Sequence, residues 1–244
     1  MSQFTGSRKK ILDLIESPSY LKDINAMLKS RNAKVEKTDK FLPISKNKPK
    51  KPNLNNFLAE NYSKEMSADF LNWWLKHPGP SAITPMFDII STCTIDGKKG
   101  ILLVEGRVNT GELFYNGIKK ILSNLKTDNV MANQVSVENA INEANTSISK
   151  TVKDIKLSTE NCYHLSSRIA EAWWLASKGI PVVLLYVGFL NYEKLSFKKH
   201  NIFTTDAEWQ DLFKKHTEKV GVDKLLEKSI DCGAASFTTI VRSI

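Results

Sequence analysis

Cysteine is scarce in this 244-residue chain: Cys93, Cys162 and Cys232 are odd in number, widely spaced and free of any CxxC pair. That spacing argues against a disulfide framework and against a zinc knuckle. The histidines His77, His164, His200 and His216 show neither HExxH nor HxxxH spacing, so a histidine-rich metal site has no local support. Long apolar runs are missing as well. The longest, Ile180 to Leu190, is roughly half of the ~20 residues that a membrane-spanning helix needs. Met1 to Lys10 holds no apolar stretch of the signal-peptide kind, which makes a reducing, cytoplasmic location the expectation. No GxxxxGK[ST] loop, GxGxxG fingerprint or GxSxG elbow occurs, removing the commonest warrants for an ATPase, a dinucleotide enzyme or an α/β-hydrolase.

What is present is a globular composition with an uneven charge. Hydrophobic residues make up 41% and charged residues 25%, enough to bury a core and too apolar for wholesale disorder. The formal net charge is +9, a balance that suits polyanionic partners such as nucleic acid. Residues 1 to 52 hold 13 Lys or Arg against 5 acids, whereas residues 53 to 244 hold 22 against 21. The excess therefore belongs to the first fifth of the chain. It ends in Lys46-Asn47-Lys48-Pro49-Lys50-Lys51-Pro52, which reads as a basic linker or arm: either a solvated tether or a phosphate-contacting segment. The expected organisation is a basic helical arm and linker over 1–52 and one domain over 53–244.

Within the arm, Ile11, Leu14, Ile15, Leu21, Ile24 and Leu28 are spaced as one or two short helices broken near Ser17-Pro18. Leu54, Phe57, Leu58, Tyr62, Met66, Phe70, Leu71 and Trp74 predict a helical stripe that stops before His77-Pro78-Gly79-Pro80. The periodicity then changes. Met86 to Ile95 and Gly100 to Val108 read as strands joined at Asp96-Gly97, a strong hairpin signal. Helices are predicted over 112–125, 136–155 and 160–177. The unalternating run Ile180 to Leu190 predicts a central strand covered on both faces. Thr205-Asp206-Ala207-Glu208 is a capping box opening a helix to about Lys219, and Ser236 to Ile244 predicts a last strand. This order implies an α/β fold with helices packed on a mixed sheet.

The hairpin concentrates chemistry. A two-residue turn at Asp96-Gly97 puts Asp88 opposite Glu105, and a looser four-residue turn leaves the two as diagonal neighbours on one face. Either way the carboxylates share a face, within roughly 4.5 to 8 Å, and the two-residue period adds Arg107 beside Glu105. Two carboxylates on strands otherwise made of Phe87, Ile89, Ile90, Ile101, Leu102, Leu103 and Val104 need a positive partner. Arg107 is one candidate; a divalent cation is the other, since Mg²⁺ is typically held by one or two carboxylates with water and substrate phosphate. An ordinary surface ion pair is the alternative.

Asp88, the hairpin, and Ile101-Leu102-Leu103-Val104-Glu105-Gly106-Arg107 together resemble the PD-(D/E)XK nuclease superfamily, in particular members with an LLVEAK-type strand followed shortly by Glu, as Glu112 follows here. The stretch from Tyr163 through Arg168 to Trp174 resembles that group's helix before the central strand, and Ile180 to Leu190 and Ala207-Glu208-Trp209 continue the likeness, over about residues 55 to 220. The resemblance implies a restriction-endonuclease-like core with a mixed central β-sheet flanked by helices. It also implies Mg²⁺, replaceable by Mn²⁺, held by Asp88 and Glu105 and by the Gly106 carbonyl, with catalytic roles for Asp88, Glu105 and the residue at the lysine position. That residue is Arg107. A guanidinium stays charged at working pH and cannot accept a proton, but it can still supply charge and donors to a phosphate. The implied partner is nucleic acid, DNA ahead of RNA, without a membrane and compatible with a homo-oligomer. The competing expectation is a catalytically inactive nuclease fold serving as a nucleic-acid-binding or assembly module.

Smaller expectations attach to other residues. Glu112 at a helix start is either a carboxylate supporting the site or a favourable charge near a helix N-terminus. His164, Arg168 and Glu171 share one helical face, which reads as solvated or as directed toward substrate phosphate. Trp73, Trp74, Trp173 and Trp174 are core residues, or one of each pair is a base-stacking platform.

Overall fold

The computed structural model describes residues 4–79, 84–114, 128–192 and 201–244. Its strands are β1 (Ala33–Lys34), β2 (Phe41–Leu42), β3 (Ile89–Ile95), β4 (Lys98–Arg107), β5 (Val182–Gly188), β6 (Ser229–Asp231) and β7 (Ser236–Ser243). They form one sheet in the order β1-β3-β4-β5-β7-β6, with β2 also paired to β3. The β4–β5 and β5–β7 pairs are parallel and the rest antiparallel. The protein is thus α/β with a mixed sheet, as its element order predicts.

The hairpin closes as the two-residue turn requires. Asp96 and Gly97 have φ of 49° and 78°, positive at both central positions as in a type I′ turn. The register runs from Ile95↔Lys98 to Ile89↔Val104. β5 is buried along its whole length, as expected of a strand with neighbours on both sides and cover on both faces.

The helices are α1 (Gly6–Glu16), α2 (Tyr20–Leu28), α3 (Leu54–Asn61), α4 (Lys64–Trp74), the single turn α5 (Thr110–Leu113), α6 (Asp128–Ile148), α7 (Tyr163–Ser177) and α8 (Asp206–Glu218). The stripe from Leu54 to Trp74 is two helices rather than one. Tyr62 leaves helical geometry, and Ser63 caps α4 by accepting from Met66 N. α8 starts at its capping box, with Thr205 accepting from Glu208 N. α6 begins earlier and ends earlier than its apolar spacing predicts. Of the helix predicted over 112–125, residues 115–125 lie outside the described residues.

Two apolar layers sandwich the sheet. On one face α3, α4, α6, α7 and α8 pack over Ile101, Leu103, Leu184 and Tyr186. On the other, Ile11, Leu12, Ile24 and Leu28 of α1 and α2 cover Leu102, Val104, Val183 and Leu185. This corrects the expectation of a separate arm. Burying each of those four side chains contributes ~1.5–3 kcal/mol. Together they rival the whole net stability of a domain, ~5–15 kcal/mol. Residues 6–28 are therefore a layer of the fold, and β1 and β2 extend its sheet. Their basic residues surround an apolar seam that the charge count conceals. Gly106 marks how closely α1 crosses β4, since a Cβ there would stand 3.1 Å from Ile11 Cγ1 and 2.9 Å from Phe189 Cε2.

Candidate active site

The sheet's register delivers Asp88 and Glu105 to one place. The β3–β4 ladder ends with Asp88 N donating to Val104 O at 3.0 Å. From there the Asp88 side chain takes over the pairing, its Oδ2 accepting from Gly106 N at 2.9 Å. Asp88 has no exposed surface and Glu105 is 3% exposed. Arg107 Nη1 stands between them, 3.0 Å from Glu105 Oε2 and 3.8 Å from Asp88 Oδ2. The three residues that sequence spacing brings together thus meet in the structure, with both carboxylates buried and Arg107 half-buried rather than on an outer face.

Three further groups complete the cluster. Arg168 on α7 donates from Nε to Glu105 Oε1 at 2.6 Å, from Nη1 to Glu171 and from Nη2 to the Met86 carbonyl at 2.6 Å. Its guanidinium lies 4.3 Å from the centre of the Phe87 ring. Arg168 and Glu171 are both buried, which corrects the solvated-face reading: α7 turns this edge toward β4 because the two residues and Glu105 satisfy one another's charge. The third group is Lys51, whose Nζ lies 2.6 Å from Asp88 Oδ1. That contact is an ion pair outside hydrogen-bonding geometry, so Oδ1 accepts no hydrogen bond.

Burial sets the electrostatics. Desolvation alone would raise Glu105, but Arg168, Arg107 and Lys51 outweigh it and bring its pKa down to about 2. Glu171 goes the other way: burial, reinforced by the charge of Glu105 and opposed by Arg168, raises it to about 8. Arg168 is moved up despite burial because it faces both glutamates. His164 is lowered to about 4 by burial and by the Arg168 charge, so its imidazole is neutral at pH 7. Tyr186, the β5 neighbour of Glu105, is raised by burial and by that carboxylate. Its hydroxyl is buried and unpaired.

The remaining expectations sort by contact. Glu112 Oε2 accepts from Val108 N at 3.0 Å and Oε1 from Ser7 N at 3.1 Å. It ties the start of α1 to the end of β4 and does not reach the carboxylates through any described bond. Trp74, Trp173 and Trp174 are buried, and Trp73 donates from Nε1 to Glu143 at 2.9 Å. Their rings pack on one another and on Phe70, an aromatic core rather than a stacking platform. Cys93 and Cys162 are buried thiols and Cys232 is half-buried, none in a disulfide.

Sequence reasoning missed Lys51 and Tyr186. Lys51 is one of several lysines in a polar run, and its pairing with Asp88 depends on a contact between segments far apart in the chain. Tyr186 is recognisable as a site neighbour only once β5 is known to lie beside β4.

Among the described residues no group of three or more His, Cys, Asp or Glu side chains is placed to hold a metal ion. A hard divalent cation needs fewer, since one or two carboxylates with waters and substrate oxygens suffice for Mg²⁺. Asp88 Oδ1, buried and without a hydrogen bond, and Glu105 Oε2 are oxygen donors of that kind. The Gly106 carbonyl accepts from Arg107 Nη1 at 2.7 Å. No family model matches the chain, and no curated protein or solved structure matches it. Among the described residues no helix is long and apolar enough to cross a membrane.

Proposed function

We propose that the protein is a metal-dependent nuclease that hydrolyses phosphodiester bonds at Asp88 and Glu105. The observation that carries this reading is the meeting of these two buried carboxylates at the end of β4 with Arg107 between them. Such a cluster is poor value as a stabilising device, because desolvating several ions generally costs as much as their attraction returns. Its placement is better accounted for by chemistry. Asp88 Oδ1 and Glu105 Oε2 would hold Mg²⁺, which on binding lowers the pKa of a coordinated water and offsets phosphate charge. Hydrolysis then adds the water oxygen to phosphorus and breaks the bond to the leaving oxygen. That oxygen keeps the electron pair and takes up a proton, while the water's proton passes to solvent. Gly106 N fixes the Asp88 carboxylate, Arg168 fixes Glu105, and Arg107 adds positive charge where the phosphate would build up negative charge.

The test is incubation of the full chain with single- and double-stranded DNA and RNA in Mg²⁺ or Mn²⁺, beside Asp88→Ala. Cleavage by the wild type that the substitution abolishes is expected. A wild type inert toward every substrate, or an Asp88→Ala protein that cuts as fast, ends this reading. One observation favours a second reading, a catalytically inactive binding module: Lys51, Arg107 and Arg168 already compensate both carboxylates without a metal. Calorimetric titration with Mn²⁺ separates the two. Binding that is lost in Glu105→Gln belongs to the nuclease, and no binding at all belongs to the module.

A further inference from the structure

Resting on the nuclease reading, we infer that Lys51 is the cation that moves to donate to the substrate phosphate, beside the fixed charge of Arg107, and that Arg168 is a positioning residue. Lys51 is held in place by backbone. Phe87 N donates to Pro52 O at 3.1 Å and Leu54 N to Pro85 O at 3.1 Å, forming an antiparallel bridge between Asn53 and Met86. Continued by two residues in each direction, that register sets Lys51 across from Asp88. The ammonium therefore reaches Asp88 Oδ1 because the chain delivers it there.

The three cations differ in what they have left to give. Arg168 spends all three guanidinium nitrogens on Glu105, Glu171 and the Met86 carbonyl, and its side chain is 10% exposed. Arg107 Nη1 donates to Glu105 and to its own strand at Gly106 O, and its side chain is 15% exposed. Lys51 is 39% exposed and among the described residues has one ion-pair partner, formed outside hydrogen-bonding angles. An ammonium carries three donors on a flexible four-carbon stem. Lys51 can thus turn from Oδ1 to a phosphate oxygen while Asp88 stays anchored through Oδ2 to Gly106 N, and in turning it uncovers the Asp88 oxygen that would meet a metal. Arg168 cannot do so without abandoning Glu105, Glu171 or the Met86 carbonyl, and Arg107 is tied through Nη1 to Glu105 and to its own strand. Lys51 forms no covalent bond in this role; it donates a hydrogen bond and charge.

The experiment compares the full chain, Lys51→Gln and, as a neighbouring control, Lys50→Gln at an exposed position. Fluorescence anisotropy reads binding of a labelled DNA oligonucleotide in EDTA, and calorimetry reads Mn²⁺ binding. Lys51→Gln is expected to weaken metal-free oligonucleotide binding at least about fivefold while Lys50→Gln stays within about twofold, since a charge-assisted contact at the site outweighs one surface charge among many. Mn²⁺ should bind Lys51→Gln more tightly, because a competing cation has gone; a purely structural lysine would weaken both. Oligonucleotide binding by Lys51→Gln equal to that of Lys50→Gln overturns the inference whether or not the wild type cleaves. A wild type that neither cleaves nor binds Mn²⁺, yet loses oligonucleotide on Lys51→Gln, overturns the nuclease reading and leaves Lys51 as the phosphate-binding residue. Should Lys51→Gln fail to fold, the double substitution with Asp88→Asn leaves no uncompensated charge, and the same loss of metal-free binding is expected of it.

Discussion

The two faces of the sheet are both apolar under their helices, and they part company at the end of β4. Under α1 and α2 the seam is hydrocarbon, with Ile11, Leu12, Ile24 and Leu28 over Leu102, Val104, Val183 and Leu185. Under α7 an apolar layer ends in a knot of buried Asp88, Glu105, Arg168 and Glu171 with half-buried Arg107. Both faces are covered by helices on the same strands, so packing alone does not call for the knot. Alternate residues of β4 show the division within a single strand: Leu102 and Val104 enter one layer, while Leu103 and then Glu105 enter the other. The ions mark where the fold has given up apolar burial for chemistry, and their demand for compensation explains why α7 presents Arg168 and Glu171 inward.

The comparison breaks most visibly at Arg168. Arg168→Met leaves Glu105 and Glu171 facing each other without their shared cation, and removing one partner of a buried ion network costs ~3–5 kcal/mol. Urea unfolding should register that loss. A midpoint close to the wild type would mean that the knot is solvated and that the faces do not differ in kind.

Acid probes the same contrast with a somewhat smaller effect. Glu105 lies at about 2 in the folded chain against an ordinary 4.5, so the folded state holds its proton less tightly than the unfolded state does. The resulting stabilisation is fully present above pH ~4.5 and is lost as pH falls toward 2, worth ~3 kcal/mol at most. Glu105→Gln should flatten that acid limb in a series of unfolding curves from pH 5 to 2. An unchanged slope in the variant would place the titration elsewhere.

An effect of the opposite sign, and no larger, belongs to Glu171. Its pKa is raised to about 8, so the folded state binds the proton more tightly and stability from this group falls as pH rises from about 4.5 through 8. A carboxyl held mostly neutral at pH 7 is well imitated by an amide. Glu171→Gln does not have to hold a proton at pH 7 and should therefore raise stability there, by up to ~3 kcal/mol, and remove the decline between about pH 4.5 and 8. A large loss at pH 7 would show Glu171 to be ionised and paired, making the knot three anions rather than two.

How much of this was legible in residue order varies by element. The hairpin and the shared face of Asp88 and Glu105 followed from Asp96-Gly97, while the choice between the two-residue and four-residue turns came with the structure, where both central φ are positive. The burial of β5 followed from an apolar run without alternation, and the start of α8 from its capping box. The N-terminal layer was hidden in the charge count, because the basic residues on either side of Ile11–Leu28, from Arg8 to Lys10 and from Lys29 to Lys51, dominate the total while a helix sorts its residues by face. The break at Tyr62-Ser63 was hidden because the apolar spacing continues across it.

For the site, spacing alone could bring Asp88, Glu105 and Arg107 together, since adjacent strands obey a two-residue period and a local turn sets their offset. Nothing local could say that these side chains are buried, that α7 lends Arg168 and Glu171, or that Lys51 meets Asp88. Those facts depend on chain segments separated by dozens of residues coming into contact. Burial and compensation of charge are properties of what surrounds a side chain, and only the folded chain supplies the surroundings.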